Sequence, residues 1–399
     1  MKIESLKIKN FKTYKNAEMK DVPSLCVIVG ANGSGKSTLF SVFGFLKDCL
    51  NLNVTKALQV RGGFREVLSR NCDPQKDHIE IQIQYRMELT GKERLVTYSL
   101  QIGLNKEQKV CVKREILRYK RGAYGSPFRF IDFENGSGYA INNEENFDKS
   151  DEDLEKVYQD IGSCDTLALK GLGQFQRFKA ANAFRQLIEN WHVSDFHITA
   201  ARGSKDVDGF FEHLSESGDN LSLVAQNLHE NHPEIFNRIL QKMKQRVPGI
   251  KDIRPEQTAD GRLLLQFQDD GFRDPFIDRY VSDGTIKMFA YLVLLYDPVP
   301  FPFLCIEEPE NQLYPKLLQE LAEEFRSYAV RGGQVFVSTH SPDFLNAVKV
   351  NELFWLEKRD GQTQIMRVLD DPQIVEYMKA GDQLGYLWNQ GFLGGADPQ

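Results

Sequence analysis

Along residues 2–20 the apolar positions Ile3, Leu6, Ile8 and Phe11 alternate with polar ones, the period of a half-buried strand. Leu25, Cys26, Val27, Ile28 and Val29 then form a continuous apolar run that enters a glycine-rich turn at 30–35. Residues 36–50 carry apolar side chains at helical spacing, so this region reads strand, loop, helix. Strand-like runs follow at 79–85, 95–102 and 110–119, separated by loops at 91–92 and 122–127, and they predict antiparallel meanders. From 142 to 247 the chain turns polar and acidic and then helix-periodic, with Phe184, Leu187, Ile188 and Trp191 on one predicted helix and a second run over 221–243. We expect a helical insertion there, with a Gly/Ser/Asp-rich loop at 203–219.

Strand character returns at 262–268. After it come a helix (284–296), a buried strand (303–306), a helix opened by Pro315, a strand (334–338) and a helix opened by Ser341 and Pro342. Strands alternating with helices predict a mostly parallel sheet. Segments 353–359 and 362–369, joined by Asp360 and Gly361, predict a hairpin with a type I′ turn. The expected division is an N-terminal part of a head (1–141), the helical insertion (142–247) and a C-terminal part of the same head (248–399).

Composition narrows the field without choosing a function. The 50 Lys and Arg against 56 Asp and Glu give a formal net charge of −6, which argues against a chain that coats nucleic acid through bulk charge. Cys26, Cys49, Cys72, Cys111, Cys164 and Cys305 are scattered without C-x-x-C or metal-ligand spacing, as suits reduced thiols rather than a disulfide framework. The first residues build no signal-peptide core, and the longest apolar stretch, 288–296, is too short to span a bilayer. A cytoplasmic location with no membrane partner is therefore expected.

Four motifs carry chemistry. Gly30-Ala31-Asn32-Gly33-Ser34-Gly35-Lys36-Ser37-Thr38 fits G-x-x-x-x-G-K-[ST] between a predicted strand and a predicted helix. Glycines let peptide N–H groups approach phosphates, the helix N-terminus favours negative charge, Lys36 reaches the β and γ phosphates, and the Ser37 hydroxyl helps to hold Mg²⁺. The apolar run 303–306 ends in Glu307 and Glu308, with Glu307 assigned to the metal and Glu308 to the general base. His340 ends the strand at 334–338 and would touch the γ-phosphate or the attacking water. Val281-Ser282-Asp283-Gly284 precedes a helix and has the parts of an anion site, although taken alone it reads as a helix N-cap.

In this order the motifs resemble those of the ABC-type ATPases, specifically the RecF- and SMC-like branch. The runs 307–315 and 338–342 are similar to those of standalone AAA-type ATPases related to the ATPase half of OLD-family proteins, and residues 8–14 resemble the N-terminal strand-turn of SMC heads. The resemblance implies an α/β P-loop NTPase of ABC-ATPase type, with a mostly parallel central sheet, an antiparallel β subdomain and the helical insertion. It implies that ATP and Mg²⁺ bind at Gly30, Asn32, Gly33, Ser34, Gly35, Lys36, Ser37 and Thr38, with Lys12 near the phosphates. It implies catalysis by Lys36, Glu308 and His340, and a head-to-tail homodimer in which Ser282 and Gly284 of one copy close over ATP on the other. Asn311 and Gln312 would lie on the loop crossing that interface, and Gln174 and Gln176 are candidates for the Mg²⁺-contacting glutamine. Two departures stand out: Glu307 where many relatives carry aspartate, and Val281-Ser282-Asp283-Gly284 in place of leucine-serine-glycine-glycine.

Between 113 and 130, six bases (Lys113, Arg114, Arg118, Lys120, Arg121, Arg129) face one acid (Glu115) and interleave with Tyr119, Tyr124, Phe128 and Phe130, a composition suited to DNA or RNA. The acidic stretch 144–156 just downstream would neutralise it or form a separate solvated face. The leading expectation is an ATP-hydrolysing switch acting with nucleic acid or a separate effector protein, in DNA maintenance or anti-phage defence. The stretch after His340 is short for a nuclease domain, so any nuclease is expected on another polypeptide. The alternatives are a nucleotide-binding assembly scaffold with little turnover, an ATPase subunit of a nuclease complex, and a nuclease using Asp148, Asp151 and Asp153.

Overall fold

The computed structural model describes residues 2–120, 126–142, 154–202, 205–206 and 211–393. Loop positions 121–125 and the acidic residues Asp148, Asp151 and Asp153 lie outside them, as do 203–204 and 207–210 of the expected 203–219 loop. The central sheet has six strands in the order Trp191–Ser194, Phe303–Glu307, Gln334–Thr339, Leu25–Gly30, Leu353–Arg359, Gln362–Arg367. All neighbours pair in parallel except the last, which closes a hairpin through Asp360 and Gly361 at φ 50° and 75°. Positive φ at both central residues is the type I′ turn expected from Asp-Gly. The Leu25–Gly30 strand is buried along its whole length, which is why it reads as an unbroken apolar run.

An eight-stranded antiparallel sheet adjoins it, running from Tyr14–Met19 through Lys2–Phe11, Ile79–Leu89, Lys92–Leu104, Val110–Tyr119, Phe128–Glu134 and Ser137–Ile141 to Lys156–Asp160. The Lys36–Asn51 helix packs into the same core as both sheets through Leu39, Phe40, Phe43 and Leu46. Phe43 meets Phe303, Phe336 and Trp191 with ring centroids at 4.7, 5.3 and 5.6 Å. Gln334, fully buried, ties the sheets together: its side chain accepts from Ile3 N at 2.7 Å and donates to Ile3 O and Pro23 O, both at 3.0 Å. A small third sheet joins Arg262–Asp269 to Ile250–Gln257, Lys205–Asp206 and Phe276–Ile277.

The stretch 142–247 is not the purely helical insertion expected. It holds the helices Lys179–Glu189, Leu221–Asn231 and Pro233–Arg246, but also the Lys156–Asp160 and Trp191–Ser194 strands, which are edges of the two large sheets. Trp191 therefore starts a strand instead of closing a helix. Buried on every side, it carries no periodicity that separates the two states. The run 221–243 is likewise two helices, because Pro233 has no N–H to continue the first and opens the second. Two further helices, Pro372–Ala380 and Leu384–Asn389, follow the hairpin without having been expected.

Candidate active site

The parallel strands end on one side of the central sheet, and their carboxyl ends carry Gly30, Glu307 and Thr339, the last followed by His340. Open parallel sheets bind ligands at this edge. After Gly30 the chain turns through Gly33 (φ 77°) and Gly35 (φ 109°) into the Lys36–Asn51 helix. At Gly35 a side chain would be strained and would meet Thr363 Oγ1 at 2.7 Å. The helix N-terminus has no side-chain cap and no acid in its first turn, so its donors are left for an external anion. Lys36, buried, folds its ammonium onto Gly30 O at 2.8 Å and Ala31 O at 3.3 Å. Burial lowers its pKa, opposed by Glu308, Glu307 and Glu310.

Ser37 donates to Glu307 Oε2 at 2.6 Å. Desolvation raises the Glu307 pKa, the Ser37 bond opposes it, and Glu308 and Asp195 add to it. A hydroxyl and a carboxylate already side by side are oxygen donors of the kind Mg²⁺ takes, so the residues present fit that ion. Glu308 stands at φ 43°, a left-handed conformation uncommon outside glycine, held by its N–H on Ser338 O at 3.0 Å. Its Oε1 lies 3.1 Å from His340 Nε2 and its Oε2 accepts from Asn311 Nδ2 at 3.0 Å. Burial and then Lys36 lower the His340 pKa, with Glu308 and Glu310 opposing. The neutral ring can then donate from Nε2 to Glu308.

Two residues given no role in the sequence reading complete the cluster. Glu310 Oε1 accepts from His340 N at 2.7 Å and Thr339 Oγ1 at 2.8 Å, fixing the backbone that carries the histidine. The third carboxylate behind Pro309 was its only sequence signal. Lys287 donates to Asn311 O at 2.8 Å and so holds the loop behind Glu308; burial lowers its pKa to about 8. Asp195 follows the Trp191–Ser194 strand, where Ser194 pairs with Ile306, and it lines a cleft of about 400 Å³ with Ser37 and Glu307. Gln174 and Gln176 are instead exposed in the turn before Lys179–Glu189 and line neither this cleft nor the one at Thr38. Asp195, which the sequence reading gave no role, lies in the cleft with Glu307 because Trp191–Ser194 is extended alongside Phe303–Glu307.

Lys12 and Thr38 share a cleft of about 490 Å³ with Asn71, Lys358 and Gln362. Asn32 and Gly33 are exposed on the loop, whereas Ser34 is buried beneath it. Ser282 and Gly284 line a different cleft, of about 860 Å³, with Gln312 and Tyr314 and no residue of the 30–38 loop. Ser282 caps the Asp283–Leu295 helix by accepting from Thr285 N at 3.2 Å. Gly284 has a packing reason as well, since a Cβ there would meet Gln312 O at 2.6 Å. Arg202 braces this turn, donating to Val281 O at 2.6 Å and to Asp283 Oδ1.

Arg121 and Tyr124 of the basic stretch lie outside the described residues, and several of its described members are engaged within the fold. Arg114 and Arg129 both pair with Asp132, at 3.2 and 2.6 Å. Tyr119 and Phe130 stack on each other in the core at 3.9 Å, leaving neither face for a base. Glu115 points inward, fully buried.

A glycine turn into a helix N-terminus at the edge of a mostly parallel sheet, with paired carboxylates and a histidine on the adjacent strand ends, is the arrangement of a P-loop ATPase domain. The chain belongs to the AAA ATPase domain family, whose model matches residues 1–249. A second model, described as "AAA domain, putative AbiEii toxin, Type IV TA system", matches residues 168–346. The fold is similar to that of an SMC head solved with the C-winged helix domain of ScpA, at 14% identity and a TM-score of 0.55, covering 92% of this chain and 97% of that one. It is also similar to the Pyrococcus furiosus Smc head with an extended coiled coil, bound to the C-terminal domain of ScpA, at 14% identity and a TM-score of 0.51, covering 94% and 99%. Among the described residues no helix is long and apolar enough to cross a membrane.

Proposed function

We propose that the chain binds ATP with Mg²⁺ at residues 30–38 and hydrolyses it in a head-to-tail homodimer, with Ser282 and Gly284 of one copy closing over the nucleotide of the other. The observation that carries this reading is the cluster at the strand ends: Lys36 at the loop, Ser37 on Glu307 at 2.6 Å, and Glu308 held between His340 and Asn311 at 3.1 and 3.0 Å. Lys36 would exchange its carbonyl partners for phosphate oxygens. Ser37 and Glu307 would hold Mg²⁺, which would neutralise phosphate charge when bound. Glu308, aimed by His340 and Asn311, would take the proton of the attacking water. The separate cleft of Ser282 and Gly284 supports the second copy, since within one chain these residues share no cleft with the loop.

The output would be a conformational switch read by a separate effector protein or by DNA or RNA. The SMC heads of similar fold were solved with ScpA domains, which favours a protein partner. The AbiEii description favours defence over DNA maintenance. Glu308→Gln should lower phosphate release by about 10²–10⁴-fold. With ATP it should run as a dimer on size exclusion with light scattering, and Ser282→Arg should remove that dimer. A monomer under every nucleotide condition would refute the dimer. Unchanged phosphate release in Glu308→Gln would favour the scaffold reading.

A further inference from the structure

Two thiols far apart in sequence meet beside the antiparallel sheet. Cys111 is buried on the Val110–Tyr119 strand, and Cys164 is half-buried in the turn before the Ala168–Leu172 helix. Val112 N donates to Cys164 O at 2.6 Å, and the Cys164 thiol reaches Val110 O at 3.8 Å, so both neighbours of Cys111 hold Cys164. The Cys111 thiol in turn lies 3.8 Å from Val112 O and 3.6 Å from Asn135 Oδ1. The Val112 N to Cys164 O bond sets the two backbones at about strand-pair spacing, and the Cys164 thiol at Val110 O lies against the peptide that leads into Cys111, a neighbourhood a disulfide can span.

We propose that Cys111 and Cys164 are a redox-active pair that hydroperoxides close to an intramolecular disulfide, independently of the ATPase reading. Cys164, the more accessible thiol, attacks the hydroperoxide O–O bond. It becomes a sulfenic acid and releases the alcohol, or water when the oxidant is hydrogen peroxide. The Cys111 sulfur then attacks the sulfenic sulfur, its proton leaves with the hydroxyl as water, and the S–S bond forms. Two thiols lose two electrons and the peroxide gains them. Cys111 is buried and Cys164 only half-buried, so Cys164 meets the peroxide first, and burial pushes the Cys111 thiol up to about 12.

The crosslink would fasten a segment that already touches the nucleotide-loop helix. Asp165 O accepts from Val54 N at 2.9 Å, and Lys170 Nζ donates to Asn51 O at 3.0 Å at the C-terminal end of Lys36–Asn51. The test treats the full chain with hydrogen peroxide, alkylates it under denaturing conditions and maps the peptides. The expected result is loss of two of the six alkylatable thiols, one crosslinked peptide pair holding Cys111 and Cys164, and recovery with dithiothreitol. Oxidation should also raise the thermal midpoint of the wild type and leave that of Cys164→Ser unchanged. All six thiols alkylating after peroxide, Cys164 proceeding to sulfinic acid without crosslinking, or a disulfide between other positions or between chains would each overturn the proposal. Because Cys164 is half-buried, Cys164→Ser keeps the test decisive even if Cys111→Ser does not fold.

Discussion

Glu115 accepts from Tyr98 Oη at 2.9 Å and from the peptide N–H groups of Ala168 and Leu169 at 2.6 and 3.0 Å, so a strand residue caps a helix more than fifty positions on. Burial raises its pKa to about 7, against the lowering effect of those three donors. A folded-state value above the unfolded one means that its contribution is fully present below about pH 4.5 and lost as pH rises through 7. Glu115→Gln should flatten that part of the profile, changing the difference in unfolding free energy from wild type by roughly 2–4 kcal/mol between pH 5 and 8 in urea titrations. An unchanged slope would show that Glu115 is not the titrating group. In the sequence this residue was one acid among six bases; burial, which composition does not encode, gives it an unrelated task.

At the scale of elements, what was legible were those whose pattern is set by their own environment. The Leu25–Gly30 strand, buried throughout, the glycine turn and the Asp360-Gly361 hairpin are local solutions, and each was readable from a few residues. The Trp191–Ser194 strand was not, because its reason to be extended is the Phe303–Glu307 strand alongside it. Asp195, which that strand carries to the cleft beside Glu307, had no local signal for the same reason. The Lys36–Asn51 helix is positioned by the Phe43, Trp191, Phe303 and Phe336 rings. Phe43→Ala should cost about 3–5 kcal/mol, read as a lowered thermal midpoint, with weaker nucleotide binding because the loop rides on this helix. A near-neutral thermal midpoint would show that the ring cluster does not set the helix.

Over the whole molecule, two segments distant in sequence, at 13–14 and at 363, clasp the loop. Tyr14 Oη donates to Gly35 O at 2.9 Å, Thr363 Oγ1 donates to Ser34 O at 2.7 Å, and Thr363 N donates to Thr13 O at 2.9 Å. Thr363→Val keeps the shape, removes the hydroxyl and leaves Ser34 O without that buried donor. It should cost about 1–3 kcal/mol and weaken fluorescent-nucleotide binding more than a surface substitution of equal stability cost. Equal weakening in both would make Thr363 a stability residue only. The hairpin therefore both completes the central sheet and fixes the geometry of a loop more than three hundred residues upstream.

Local sequence was enough to read the residue types at single strand ends, a glycine turn, paired carboxylates and a histidine, in an order that resembles an ATPase class. Each of these motifs is contiguous, and its backbone geometry follows from a few neighbouring residues. Only the tertiary structure decided which side chains stand together. It placed Glu310 under His340, Asp195 beside Glu307 and Thr363 over Ser34, turned Glu115 and Tyr119 inward, and separated Ser282 from the loop. Those outcomes depend on which strands lie adjacent and which faces are buried, properties of packing between distant segments that no local pattern carries.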